Sequence, residues 1–111
     1  MTNYQTGHDA EKSAAEYLKV QGYKILELNW KTKYCEIDIV AQKDKRIYLV
    51  EVKSRKTLLQ GSGMDYITYK KLNQMKFAAE MWVSDNRWDG DYQLAVVSIV
   101  AGQVEFVEID A

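Results

Sequence analysis

A chain of 111 residues, 47% of them apolar and 28% charged, can close one hydrophobic core and is too apolar to stay disordered. The 15 Lys and Arg against 16 Asp and Glu leave a formal charge of -1, which excludes strong global attraction to nucleic acid and confines any such contact to local basic patches. A single cysteine, Cys35, excludes an internal disulfide; with an N-terminus that lacks a basic start and an apolar stretch, and no run approaching ~18 apolar residues, the expectation is one domain over residues 1–111, in the cytoplasm and outside any membrane.

Residues 7–21 carry Ala10, Ala14, Tyr17 and Leu18 at helical spacing, with Thr6 and Asp9 resembling a capping box at the start and Gly22 as the stop. Residues 23–30 alternate as a strand. Residues 35–41 and 46–53 are two further strands, joined as a hairpin by a tight polar turn in "AQKDKR". Gly61 and Gly63 mark a loop over residues 58–65. Residues 67–83 form a second helix, with Thr68 as N-cap and Leu72, Met75, Ala78, Ala79 and Trp82 as its buried stripe. "YQLAVVSIV" and "VEFVEI" close the chain as a hairpin over Ala101-Gly102. The order α-β-β-β-α-β-β predicts an α/β sandwich with a mixed sheet.

Four charges interrupt the first hairpin: Glu36, Asp38, Glu51 and Lys53. Pairing Val40 with Ile47 sets Asp38 across from Leu49 and Glu36 across from Glu51, gathering all four on one face. Ile37, Ile39, Tyr48, Val50 and Val52 then form an apolar layer on the other face, which a slip of one residue would spoil. Crowded carboxylates repel one another unless a cation sits among them, and Mg²⁺ or Mn²⁺ takes such oxygen ligands together with water and phosphate. Lys53 then stands where it can orient a water or offset charge on a phosphate. The same spacing also suits a solvated face with cross-strand ion pairs. Glu11 faces the packed side of the first helix, as a further ligand to the same ion or as an acid favoured near the helix start.

Lys43, Lys45 and Arg46, and further on Arg55, Lys56, Lys70, Lys71 and Lys76, offer a phosphate-binding line or a scattered solvated surface. Tyr66, Tyr69, Trp82 and Trp88 suit base stacking or the core. With His8 as the sole histidine, neither a histidine-rich zinc site nor a Ser-His-Asp arrangement can be built, and no Gly-rich phosphate loop supports ATP use. Cys35 reads as a small apolar packing group.

The ordered set "G-x-x-x-E-x-x-A-A-x-x-L-x-x-x-G-Y-x-I-L-x-x-N", "E-I-D-I-V-A", "L-V-E-V-K-S-R" and "T-x-x-K-x-x-x-M-x-x-A-A", from Gly7 to Ala79, resembles the YraN family. These small prokaryotic proteins are similar to archaeal Holliday-junction resolvases of the PD-(D/E)xK type. The resemblance implies a restriction-endonuclease-like αβββαβ core, a mixed central sheet flanked by helices. It implies Asp38, Glu51 and Lys53 as catalytic, with Asp38, Glu51, Glu11 and Glu36 around Mg²⁺ or Mn²⁺ and Arg55 and Lys71 on phosphate; Lys56 and Lys70, which flank the same edge in the sequence reading, are expected to join them on nucleic acid. Cys35 and Ala10 stand where the family usually has Gly, and Ala95 where it has an aspartate. The expected function is a Mg²⁺-dependent nuclease on DNA, branched or single-stranded. The alternatives are a non-catalytic nucleic-acid-binding or adaptor module that keeps the fold and a plain interaction domain. A homodimer is expected by analogy with nucleases that cut two strands.

Overall fold

The computed structural model describes residues 3–55 and 67–110. Its elements are α1 (Asn3–Val20), β1 (Lys24–Lys31), β2 (Glu36–Lys43), β3 (Arg46–Arg55), α2 (Tyr69–Asp85), β4 (Asp91–Val100) and β5 (Gln103–Ile109). The five strands lie in chain order, β1-β2-β3-β4-β5; every neighbouring pair is antiparallel except β3 and β4, which run parallel. Parallel strands need a crossover, and α2 belongs to it. The predicted α/β architecture with a mixed sheet is the one observed.

Two apolar clusters flank the sheet. One joins Met75, Ala78, Ala79 and Trp82 of α2 to Val40, Ile47, Leu49, Leu94 and Val96; the other joins Ala14, Ala15 and Leu18 of α1 to Ile39, Ala41, Tyr48, Val50, Ala95 and Val97. The helices therefore cover opposite faces. The predicted stripe of α2 is the buried one, with Leu72 at its margin.

Local signals set most boundaries. The Thr68 hydroxyl accepts the Lys71 N–H at 3.0 Å, capping α2. Gly22 has φ 96, and the Gly22 and Tyr23 N–H groups donate to the Lys19 and Leu18 carbonyls, a Schellman ending for α1. Helix α1 begins at Asn3, so Thr6 lies inside it and the expected capping box at Thr6 and Asp9 does not start it. Ala101 (φ 49) and Gly102 (φ 80) form the two-residue turn between β4 and β5. The predicted loop over 58–65 lies outside the described residues.

The β2–β3 register differs from the expected one by two residues. Val40 pairs with Leu49, not Ile47, and Lys43 with Arg46. The cause is the turn: Asp44, at φ 56, and Lys45 suffice to reverse the chain, so β2 continues to Lys43. The pairing ends at Ile39–Val50. Continued one step, the same register sets Asp38 level with Glu51 rather than with Leu49.

Alternation also breaks at Asp38. Ile39 packs on the α1 side, yet Ile37 joins the α2-side cluster, so the expected single apolar layer of Ile37 and Ile39 does not form. Trp30, paired with Ile37, packs with it against the α2-side cluster. Between Leu28–Ile39 and Trp30–Ile37 stands Asn29, at φ 54. A left-handed residue turns the strand over, and Asn tolerates that conformation better than most.

The Trp82 indole N–H donates to Glu27 Oε2, tying α2 to β1. Trp82→Phe keeps the apolar ring but deprives a half-buried carboxylate of its donor. We expect it to cost about 1–3 kcal/mol in urea unfolding with an unchanged denaturant slope. Glu27→Gln retains an acceptor and costs less.

Candidate active site

Where β2 and β3 part, Val52 loses a strand partner for its amide, and Asp38 Oδ2 accepts that N–H at 2.8 Å. The Asp38 carboxyl is half-buried, and its pKa is pushed up from 3.8 to about 7. Burial is the largest cause and the charge of Glu51 the next; the Val52 N–H opposes them, and Glu11 and Glu36 add smaller upward pushes.

Glu51 is also half-buried, with its side chain 12% exposed. Its Oε1 lies 3.0 Å from Lys71 Nζ of α2 and 3.4 Å from Lys53 Nζ of its own strand. Glu36 is exposed at the start of β2 and pairs loosely with Lys31 at 3.8 Å. Glu11 is half-buried on α1 and acts on Asp38 through its charge. The structure thus brings Asp38, Glu51, Lys53 and Lys71 together and leaves Glu36 and Glu11 at the margin.

Among the described residues, no three Asp, Glu, His or Cys side chains group closely enough to hold a metal ion. Mg²⁺ binds through one or two carboxylates and fills its remaining positions with water and substrate phosphate. Asp38, whose proton is held to about pH 7 by burial first and by the Glu51 charge second, and Glu51 beside it would supply two such oxygen ligands; they lack the tetrahedral N/S set of a structural zinc.

The other predicted residues separate. Arg55 is the last residue of β3, paired with Val100; its side chain, like Lys56 and Tyr66, lies outside the described residues. Lys70 lines the groove described below, while Lys71 turns to Glu51. Lys43 Nζ donates to the Gln21 carbonyl and covers the Tyr23 ring, and Arg46 pairs with Glu108. These two stand at the turn end of the hairpin, away from Asp38. Trp82 is buried, and the Trp88 indole N–H donates to the Asp91 carbonyl, so both tryptophans serve the fold. Ala95 is fully buried in the α1-side cluster beside Val50, so β4 offers no carboxylate there. Cys35 packs against the α2-side cluster as a small apolar group.

A groove of about 930 Å³ opens on Glu51 and is lined by Lys31, Tyr34, Tyr69, Lys70 and Phe77 among others. Sequence reasoning offered Tyr69 for base stacking and Lys70 for nucleic acid, but missed Tyr34, Phe77 and the groove that joins them. A signal was present: Tyr69, Asn73 and Phe77 recur every four residues on α2, off its buried stripe, so two aromatics share an outward face.

The fold is a mixed five-stranded sheet between two helices, compatible with a restriction-endonuclease-like core. A model of the uncharacterised protein family UPF0102 matches residues 10–101. A UPF0102 protein of Sulfurihydrogenibium sp. strain YO3AOP1 is 38% identical over 109 residues, covering 97% of this chain and 95% of that protein. Another from Syntrophomonas wolfei is 40% identical over 99 residues, covering 88% and 86%, and one from Vibrio parahaemolyticus is 37% identical over 97 residues, covering 86% and 80%. The chain belongs to UPF0102, the YraN family, as its motifs implied. Among the described residues no helix is long and apolar enough to cross a membrane.

The Asp38 shift has a signed consequence for the metal-free protein. The folded chain keeps this proton up to about pH 7, whereas an unperturbed carboxyl releases it near 3.8. The folded state binds more protons across that window, so its stability declines as pH rises through it. Asp38→Asn keeps an oxygen for the Val52 N–H and cannot ionise. It should melt above wild type at about pH 8, and the gap should narrow as pH falls below about 7 and close near 3.8. A gap independent of pH would show that Asp38 carries no buried charge.

Proposed function

We propose that this UPF0102 protein is a metal-dependent nuclease that hydrolyses phosphodiester bonds in DNA, in the cytoplasm. The supporting observation is the Asp38–Glu51 pair at the parting of β2 and β3, with the Lys53 ammonium 3.4 Å from Glu51. Asp38 and Glu51 would hold Mg²⁺ or Mn²⁺, with Glu11 and Glu36 as outlying negative charges. When bound, the ion supplies polarisation of a phosphate oxygen and a water acidic enough to attack at neutral pH. Lys53, freed from Glu51, donates to that water or to a phosphate oxygen as charge develops. Val52 holds the Asp38 carboxylate through its backbone N–H. A pair of copies would present two such sites to two strands.

One observation favours the alternative, a binding module that keeps the fold and cuts nothing. Glu51 is already neutralised by Lys53 and Lys71, and no third carboxylate joins the pair among the described residues.

A cleavage panel of single-stranded, duplex, flap and four-way DNA with Mg²⁺ and Mn²⁺ separates the two. Cleavage should appear with at least one substrate, and Lys53→Ala should lower it about a hundredfold or more while the melting temperature is kept. Salt-sensitive binding with no cleavage of any substrate would leave the module reading in its place.

A further inference from the structure

We infer that the groove beside Glu51 is a stacking site for unpaired nucleobases, so that the substrate carries a single-stranded segment. This rests on the nuclease reading for its class of ligand. Among the described residues the large apolar side chains left exposed are Val20, Leu28, Tyr34, Tyr69, Phe77 and Tyr92. Tyr34 (72% exposed), Tyr69 (80%) and Phe77 (46%) all line this one groove, and the other three do not. All three are rings, and two of them stand two helical turns apart on α2.

A face awaiting a protein partner would also be rich in aromatic rings, but it would be poor in lysine. Here the rings are interleaved with Lys31 and Lys70, and Lys33 Nζ lies 5.8 Å from the Tyr34 centroid, adding a cation at the rim. Lys31 makes a loose, exposed pair with Glu36 at 3.8 Å, which an incoming phosphate can replace. Rings and cations along one groove match the two halves of a nucleotide, a flat base and an anionic link. A paired duplex hides its base faces and gains nothing from the rings. The groove also opens on Glu51, so a strand lying in it would reach that carboxylate.

The test is fluorescence anisotropy in divalent-free buffer, where no cutting intervenes. The probes are a labelled DNA strand of about 12 nucleotides, its duplex, and a strand of equal length without bases. The single strand should bind best. Tyr69→Ala and Phe77→Ala should each weaken it by about fivefold or more, with melting unchanged, because both side chains are exposed. Tyr69→Phe keeps the ring and should bind as wild type. On the base-free strand Tyr69→Ala should make no further difference, since the interaction it removes is already gone. Equal affinity for duplex and single strand, or alanine variants that bind as wild type, would overturn the stacking site. Ring-dependent single-strand binding without cleavage under any metal would sink the nuclease reading and leave the groove standing; cleavage indifferent to the rings would do the reverse.

Discussion

A backbone amide with no strand to bind organises this protein's charged centre. At Ile39–Val50 the β2–β3 pairing stops, and the Val52 N–H would be left unsatisfied inside the domain. Asp38 fills that place with a side-chain oxygen. Such an arrangement fixes a carboxylate at the seam between two strands, where neither face of the sheet can shield it with apolar packing alone. It also fixes Asp38 close enough to Glu51 for the two charges to be felt. The resulting conflict is electrostatic: burial and Glu51 oppose the charge on Asp38, and a single N–H favours it.

The two carboxylates resolve their charge differently. Glu51 takes two ammonium groups, one from its own strand and one from α2, while the described contact to Asp38 is a neutral donor. Helix α2 is therefore more than a crossover. Thr68 caps its start through the Lys71 N–H, and the same Lys71 sends its side chain to Glu51. Tyr69 and Lys70, between them, line the groove. Four consecutive residues thus anchor the helix, neutralise the acid and furnish a surface beside it. The Trp82–Glu27 bond holds the helix further along. Moving α2 would disturb Glu51 and the groove together.

Much of this was legible in the sequence because it is local. The stripe on α2, the Thr68 cap, the Gly22 stop and the Ala101-Gly102 turn each rest on a few neighbouring residues. Parity in the hairpin was legible too: Val40 does oppose an odd-numbered residue of β3. The exact partner was not, because a two-residue turn and a six-residue loop preserve the same alternation, and the choice between them is made in the turn, where Asp44 takes φ 56. The phase break was hidden for a related reason. "EIDIV" reads as a continuous apolar alternation, and nothing in it says that Ile37 packs with Trp30 on the α2 side. That follows from Asn29 on the neighbouring strand, so it is a property of the sheet and of no single segment. Lys71 was singled out as a phosphate contact, yet its bond to Glu51 depends on how α2 lies over β3, which spacing along the chain does not encode.

The overall charge now takes on a different meaning. At a net charge of -1 the protein has no long-range field to draw a polyanion in, and screening at physiological salt removes what little reaches beyond ~8 Å. Any grip on nucleic acid must come from forces that act at contact. Under the nuclease reading two such forces would act here: Asp38 and Glu51 would hold a divalent ion and through it phosphate, and the exposed rings of the groove that opens on Glu51 would take bases. A strongly basic chain would bind duplex DNA everywhere along its length. One that depends on short-range stacking and a metal-bridged phosphate engages only where bases are open and the backbone can reach the carboxylates. The near-neutral composition, at first an argument against nucleic acid, is what a protein selective for unpaired segments would require.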